Sequence, residues 1–302
     1  MSRRTQEMRP TFIDVPADIA RFGRVHQPGD AEAPILTGPV RAAVHRWLVE
    51  LQCEEELKAV GLTPRRTGIL AGPPGCGKTT LAHHLSARLG VALVEVNMQT
   101  LVGSHLGETG NNLHKLFTAA KARHQELVLF LDEIDAIATK RQSDGTSCGN
   151  ERNATVIALM SQIDHYPGSV IAATNRADDI DPALWRRFGL QLDIGLPDAD
   201  SRYAILARYL APFSWDEDAV GLLCDLTTGA TPALLRNLME GIKRDLILQA
   251  RFGGENTPEA VIGRVVAAIQ PHAEMARPPL WADAGCMRHL SDLPWPPARE
   301  AA

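Results

Sequence analysis

Eight consecutive residues, Gly72-Pro73-Pro74-Gly75-Cys76-Gly77-Lys78-Thr79, constrain this chain more than any others. They fit the pattern GxxxxGK[ST] and stand between an apolar run, Gly68–Ala71, and a segment of helical character, Lys78–Leu89. A strand, a glycine-rich turn and a helix in that order make a phosphate cradle. The glycines let backbone N–H groups turn toward the ligand, and the helix amino terminus adds partial positive charge. Lys78 is then placed to reach the β/γ-phosphates and Thr79 to offer a hydroxyl to Mg²⁺. Gly72 through Thr79, with Thr80 next in line, are the candidate nucleotide-binding residues, and ATP with Mg²⁺ is the expected ligand pair.

A second run, Leu127-Val128-Leu129-Phe130-Leu131, ends in Asp132-Glu133. An uninterrupted apolar run of this length reads as a strand buried on both faces, whose carboxyl end delivers two acids to the ligand crevice. The acids are expected to divide the work: Asp132 to hold Mg²⁺ through its water shell, and Glu133 to polarise the attacking water as general base. A third run, Ser169-Val170-Ile171-Ala172-Ala173-Thr174, ends in Asn175. Its amide both donates and accepts, which suits it to orienting that water.

With Val91–Asn97 and Leu190–Ile194 these runs make five short apolar segments alternating with helical ones between about residues 68 and 195. Such alternation predicts a parallel sheet wrapped by helices on both faces. Val40, Val44, Trp47, Leu48 and Leu51 follow helical spacing after Pro39 and predict an amphipathic helix leading into that core. Four helices are expected beyond Pro197, over Asp200–Leu210, Asp216–Leu226, Thr231–Arg251 and Thr257–Gln270. The expected division is an extended or partly ordered arm over 1–38, a large domain over 39–198, a helical subdomain over 199–270 and a Pro-rich tail over 271–302.

Composition narrows the class further. Charged residues at 22% and apolar residues at 45% exclude a largely disordered chain. A net charge of −5 and an aromatic content of 5% argue against a nucleic-acid partner. Cys53, Cys76, Cys148, Cys224 and Cys286 form no CxxC or zinc-type spacing and read as reduced thiols. No apolar run approaches a membrane span, and the first residues lack a signal-peptide core, so a cytoplasmic protein without a membrane partner is expected.

The segments GPPGCGKT, LFLDEIDAIA, AATNRADDIDPAL and RRFG, in this order and at these intervals, resemble the AAA+ ATPases, in particular the clade that remodels proteins. The resemblance is close over about residues 64 to 200 and looser in the helical subdomain. It implies a P-loop NTPase αβα sandwich with a five-stranded parallel sheet, followed by a small all-α lid, and a homo-oligomeric ring, commonly hexameric, with ATP between neighbours. Arg187, with Arg186 beside it, is implied as an arginine finger that enters the next subunit's site, a task suited to a fixed, forked cation. The family often shows RxGRFD where this chain has Trp185-Arg186-Arg187-Phe188-Gly189, so Arg187-Phe188 aligns best. His105-Leu106-Gly107 resembles the loop that grips a polypeptide client in the ring's pore, with histidine at the usual aromatic position. Arg152 resembles an intersubunit arginine of the clade, and Arg236 a lid arginine near the γ-phosphate.

The leading expectation is an ATP-hydrolysing ring that remodels or unfolds a protein client. A nucleic-acid loader or translocase, an ATP-gated regulatory scaffold, and an ATPase serving a partner protease are the alternatives. A small-molecule kinase, which the phosphate cradle alone would allow, is disfavoured by Asn175 and the Arg186-Arg187 region.

Overall fold

The computed structural model describes residues 12–103, 107–140, 147–272 and 275–299. The chain divides into two compact units. One comprises residues up to 34, 39–73 and 78–194, and the other residues 35–38, 74–77 and 195 onward.

The first unit is built on a six-stranded sheet: β1 (Gly23–His26), β2 (Thr67–Ala71), β3 (Ala92–Val96), β4 (Leu127–Leu131), β5 (Ser169–Thr174) and β6 (Leu190–Asp193). Their order is β1-β3-β4-β5-β2-β6, with the last five parallel and β1 antiparallel to β3. The five parallel strands coincide with the five apolar runs. Every residue of β4 and β5 is buried, which is why these strands read as unbroken apolar stretches. The edge strand β6 alternates buried and exposed residues, as a strand covered on one face should.

The helix Lys78–Leu89 packs on β3, β4 and β5. Helices Glu108–Lys121 and Ser147–His165 pack on each other, and Leu113, Leu116, Leu159 and Ile163 join Val94, Leu129 and Val170 in one apolar core. The sheet therefore has helical cover on both faces. The helix Gly38–Gln52 buries Val44, Trp47 and Leu48, and the Trp47 indole N–H donates to the Arg65 carbonyl at 2.6 Å.

The described part of the arm carries more structure than its own residue pattern indicates. It holds a short helix, Ala17–Ala20, and the strand β1, and Ile19 and Phe22 enter the main core. The reason is pairing. Gly23 to His26 lie beside Val96 to Leu93, and the backbone ladder orders four residues that carry little apolar pattern of their own.

The second unit is helical, with helices Ala199–Leu210, Glu217–Leu226, Pro232–Phe252 and Pro258–Ala268. Asp198, Asp216, Thr231 and Thr257 cap their amino termini through side-chain oxygens, and the last two helices begin with proline, where the missing N–H costs nothing. Leu235, Leu238, Met239, Ile242, Val261 and Ile262 form its core. The Pro-rich tail is part of this unit. Leu280, Leu290 and Leu293 are buried in the same core, and β8 (Ala298–Arg299) pairs with β7 (Phe213–Ser214). Its prolines stop long helices, but they leave room for the short helix Pro279–Ala282 and a 3₁₀ segment, Ala284–Asp292.

Candidate functional site

The candidate residues of the first unit gather where β2, β4 and β5 end. Leaving β2, the chain turns at Gly72 with φ +147°, and a Cβ there would lie 2.2 Å from the Ile194 carbonyl oxygen, so no other residue fits. Gly77 takes φ +90° immediately before the helix, in the left-handed region that directs successive N–H groups inward. Lys78 is only 7% exposed. Its ammonium donates to the Gly72 carbonyl at 2.7 Å, the Pro73 carbonyl at 2.9 Å and Asn175 Oδ1 at 2.7 Å. A buried cation is tolerable only with such partners, and they aim it along the mouth of the cradle.

Asn175 thereby enters the site through Lys78, 97 positions away in the chain. At the end of β4, Asp132 Oδ2 accepts from the Thr79 hydroxyl at 3.0 Å, while Asp132 Oδ1 accepts from the Glu133 N–H at 2.9 Å. Glu133 has φ 51° and ψ 45°, and it is the one non-glycine residue with positive φ among the described residues. That left-handed conformation costs an ordinary residue about 1–2 kcal/mol. It separates the direction of Glu133 from that of Asp132. The exposed Glu133 side chain lines a cleft of about 760 Å³ shared with Asp132, Asn97, Arg21 and Arg24.

Two further residues brace this end of the sheet. The Thr174 hydroxyl donates to Asp135 Oδ1 at 2.8 Å and accepts from the Arg176 N–H at 3.0 Å, tying the turn after β4 to the end of β5. Their only sequence signal is position, since Asp135 follows the acid pair and Thr174 precedes Asn175.

The donor set suits Mg²⁺. A hydroxyl and a carboxylate within hydrogen-bond distance of each other are hard oxygen donors, and Mg²⁺ characteristically takes one or two protein ligands beside phosphate and water.

The arginines are distributed differently. Arg187 Nε donates to Asp164 Oδ2 at 3.1 Å and its Nη1 to the Ala183 carbonyl at 2.7 Å. Arg186 and Arg152 are exposed on the same unit. Arg236 belongs to the second unit, where it pairs with Glu240 at 2.7 Å and lies over the Tyr209 ring. His105 and Leu106 of the expected client loop lie outside the described residues, whereas Gly107, at φ 78°, opens the helix Glu108–Lys121. Cys53, Cys76, Cys224 and Cys286 form no disulfide among the described residues. No helix among the described residues is long and apolar enough to cross a membrane.

Comparison with known proteins agrees with this geometry. Residues 68–196 match the family described as "ATPase family associated with various cellular activities (AAA)". The chain is 40% identical over 169 residues to the "Probable 26S proteasome regulatory subunit 10B" of Caenorhabditis elegans, covering 53% of this chain and 41% of that protein. It is 34% identical over 219 residues to the "Proteasome-activating nucleotidase" of Thermococcus gammatolerans, covering 68% and 55% respectively. The "Uncharacterized AAA family ATPase y4kL" of Sinorhizobium fredii is 40% identical over 202 residues, covering 66% of this chain and 59% of that protein. The matched segments thus span about half the length of these relatives.

Proposed function

We propose, from the premise that residues 68–196 make this chain an AAA ATPase of the protein-remodelling clade, that it hydrolyses ATP within a homo-oligomeric ring and couples turnover to remodelling a protein client. The observation that carries the reading is the convergence of Lys78, Thr79, Asp132, Glu133 and Asn175 at the carboxyl ends of the contiguous strands β4, β5 and β2.

In this reading the cradle and Lys78 hold the phosphates of ATP. Thr79 and Asp132 hold Mg²⁺, which when bound neutralises charge on the phosphate oxygens. Asn175 positions a water, and Glu133 takes its proton as the water oxygen bonds to the γ-phosphorus and the bond to ADP breaks. Arg187 serves the neighbouring subunit's site. Its pair with Asp164 is more than a third exposed on both sides and is worth about 0–1 kcal/mol, so little opposes its release to a more negative partner. A hexamer, a cytoplasmic location and a client gripped by His105-Leu106-Gly107 belong to the same proposal. The proteasomal names of two relatives favour a partner protease as the destination of that client.

The test is complementation between subunits. Arg187→Ala should bind ATP normally and turn over about 10³-fold more slowly. Mixing it with Lys78→Ala subunits should restore activity, because each supplies the group that the other lacks. Unchanged turnover in Arg187→Ala, or no recovery on mixing, would remove Arg187 from action in trans.

A further inference from the structure

On the opposite edge of the first unit from β6, three side chains from three separate elements converge. His26 comes from β1, Glu95 from β3 and His83 from the second turn of the helix Lys78–Leu89. His26 Nε2 lies 2.7 Å from Glu95 Oε2, and His83 Nε2 lies 3.9 Å from the same oxygen. The two imidazoles stand 4.0 Å apart between ring centroids, at 42°. One donor atom from each residue falls within 4.8 Å of the other two.

The register explains the convergence. His26 sits opposite Leu93, two residues from Glu95, so both side chains project from the same face of the sheet. That face is the one on which the helix Lys78–Leu89 packs.

Hydrogen bonding accounts for only part of the cluster. His26 and Glu95 satisfy each other, but His83 Nε2 is buried and, among the described residues, has no hydrogen-bond partner. A buried ring nitrogen without a partner costs about 1–3 kcal/mol. Burial first, and then the neighbouring His26, hold the His83 imidazole below the ordinary histidine value, which favours the neutral, metal-binding form. Glu95 contributes negative charge, and Asp132 and Asp30 add to the field at His83.

We propose that His26, His83 and Glu95 form a divalent transition-metal site of the zinc class, which pins the edge strand β1 to β3 and to the helix that carries Lys78 and Thr79. Two imidazole nitrogens and one carboxylate oxygen are a recurrent three-ligand set for zinc, with water completing a tetrahedron. Ligand atoms about 2.1 Å from a tetrahedral ion stand roughly 3.4 Å from one another. The spacings of 2.7 and 3.9 Å bracket that value, so rotamer adjustments suffice. Side-chain exposures of 17% to 28% leave an entry path for the ion.

Equilibrium dialysis of the full chain against Zn²⁺, with excess Mg²⁺ and ATP to occupy the nucleotide site, tests this. One Zn²⁺ per chain should bind, with stoichiometry retained in Asp132→Asn and lost in both His83→Gln and His26→Gln. If the histidine variants do not fold, Co²⁺ added to the unaltered chain under the same conditions should show the intense visible bands of a four-coordinate site. No bound zinc in the unaltered chain, undiminished stoichiometry in the histidine variants, or only the weak bands of six-coordinate Co²⁺ would each overturn the proposal.

Discussion

The interior strands β2, β4 and β5 and the edge pair β1 and β3 carry their polar groups in opposite ways. In the interior, β4 and β5 are buried throughout, and polar chemistry begins only where the strands stop, at Gly72, Asp132 and Asn175. At the edge, Glu95 lies within β3 and His26 within β1, projecting from the body of the strands. The difference follows from desolvation. A charge in the middle of a doubly covered strand would lose water on both sides, whereas an edge keeps part of its solvent. Interior strands therefore serve as rigid supports that deliver groups at their tips, and the edge is where the sheet can accept new groups along its length.

This contrast predicts that changes at the strand tips alter chemistry with little effect on folding, and that changes at the edge do the reverse. The largest effect belongs to Lys78→Ala. ATP binding should fall below detection by calorimetry while the far-ultraviolet circular dichroism stays that of the unaltered chain; a loss of helical signal would break the comparison. Next comes Glu133→Gln, which should bind ATP normally and turn over at least about 10²-fold more slowly, as for loss of a positioned base. Steady-state phosphate release measures it, and wild-type turnover would remove Glu133 from its role. At the edge, Gly23→Val places a Cβ about where the Glu95 carbonyl oxygen already lies, 2.0 Å from an ideal Cβ. Denaturant unfolding should show a loss of about 1–3 kcal/mol as β1 is pushed from its ladder, with turnover per folded chain unchanged. The smallest change in stability is expected of Glu133→Gly. It should lose turnover as Glu133→Gln does, yet melt about 1–2 °C higher, because relief of the left-handed strain slightly outweighs the added freedom of glycine in the unfolded chain.

The same contrast decides what could be read from the chain alone. Strands β2 to β5 were legible because burial along most of their length leaves an apolar run, β6 was legible from its alternation of apolar and polar residues, and the lid helices were legible from Asp216, Thr231 and Thr257 ahead of helical spacing. The strand β1 was not, since Gly23-Arg24-Val25-His26 carries a single strongly β-favouring residue and is ordered by a partner about 70 positions away. Leu280, Leu290 and Leu293 were hidden among prolines whose local effect is to prevent long helices, not burial. At the site, residue types at strand ends pointed to Lys78, Asp132, Glu133 and Asn175. The Lys78–Asn175 contact, the Thr174–Asp135 brace and the meeting of His26 with His83 and Glu95 depend on topology and leave no local trace.

The backbone at Glu133 has a consequence on a longer timescale. A left-handed residue at that corner is a standing invitation to glycine or asparagine, each of which a single round of selection for stability would favour. In the proposed mechanism the strain held at Glu133 is therefore a stability cost tied to the carboxylate that hydrolysis uses, so a glycine that relieves the one removes the other.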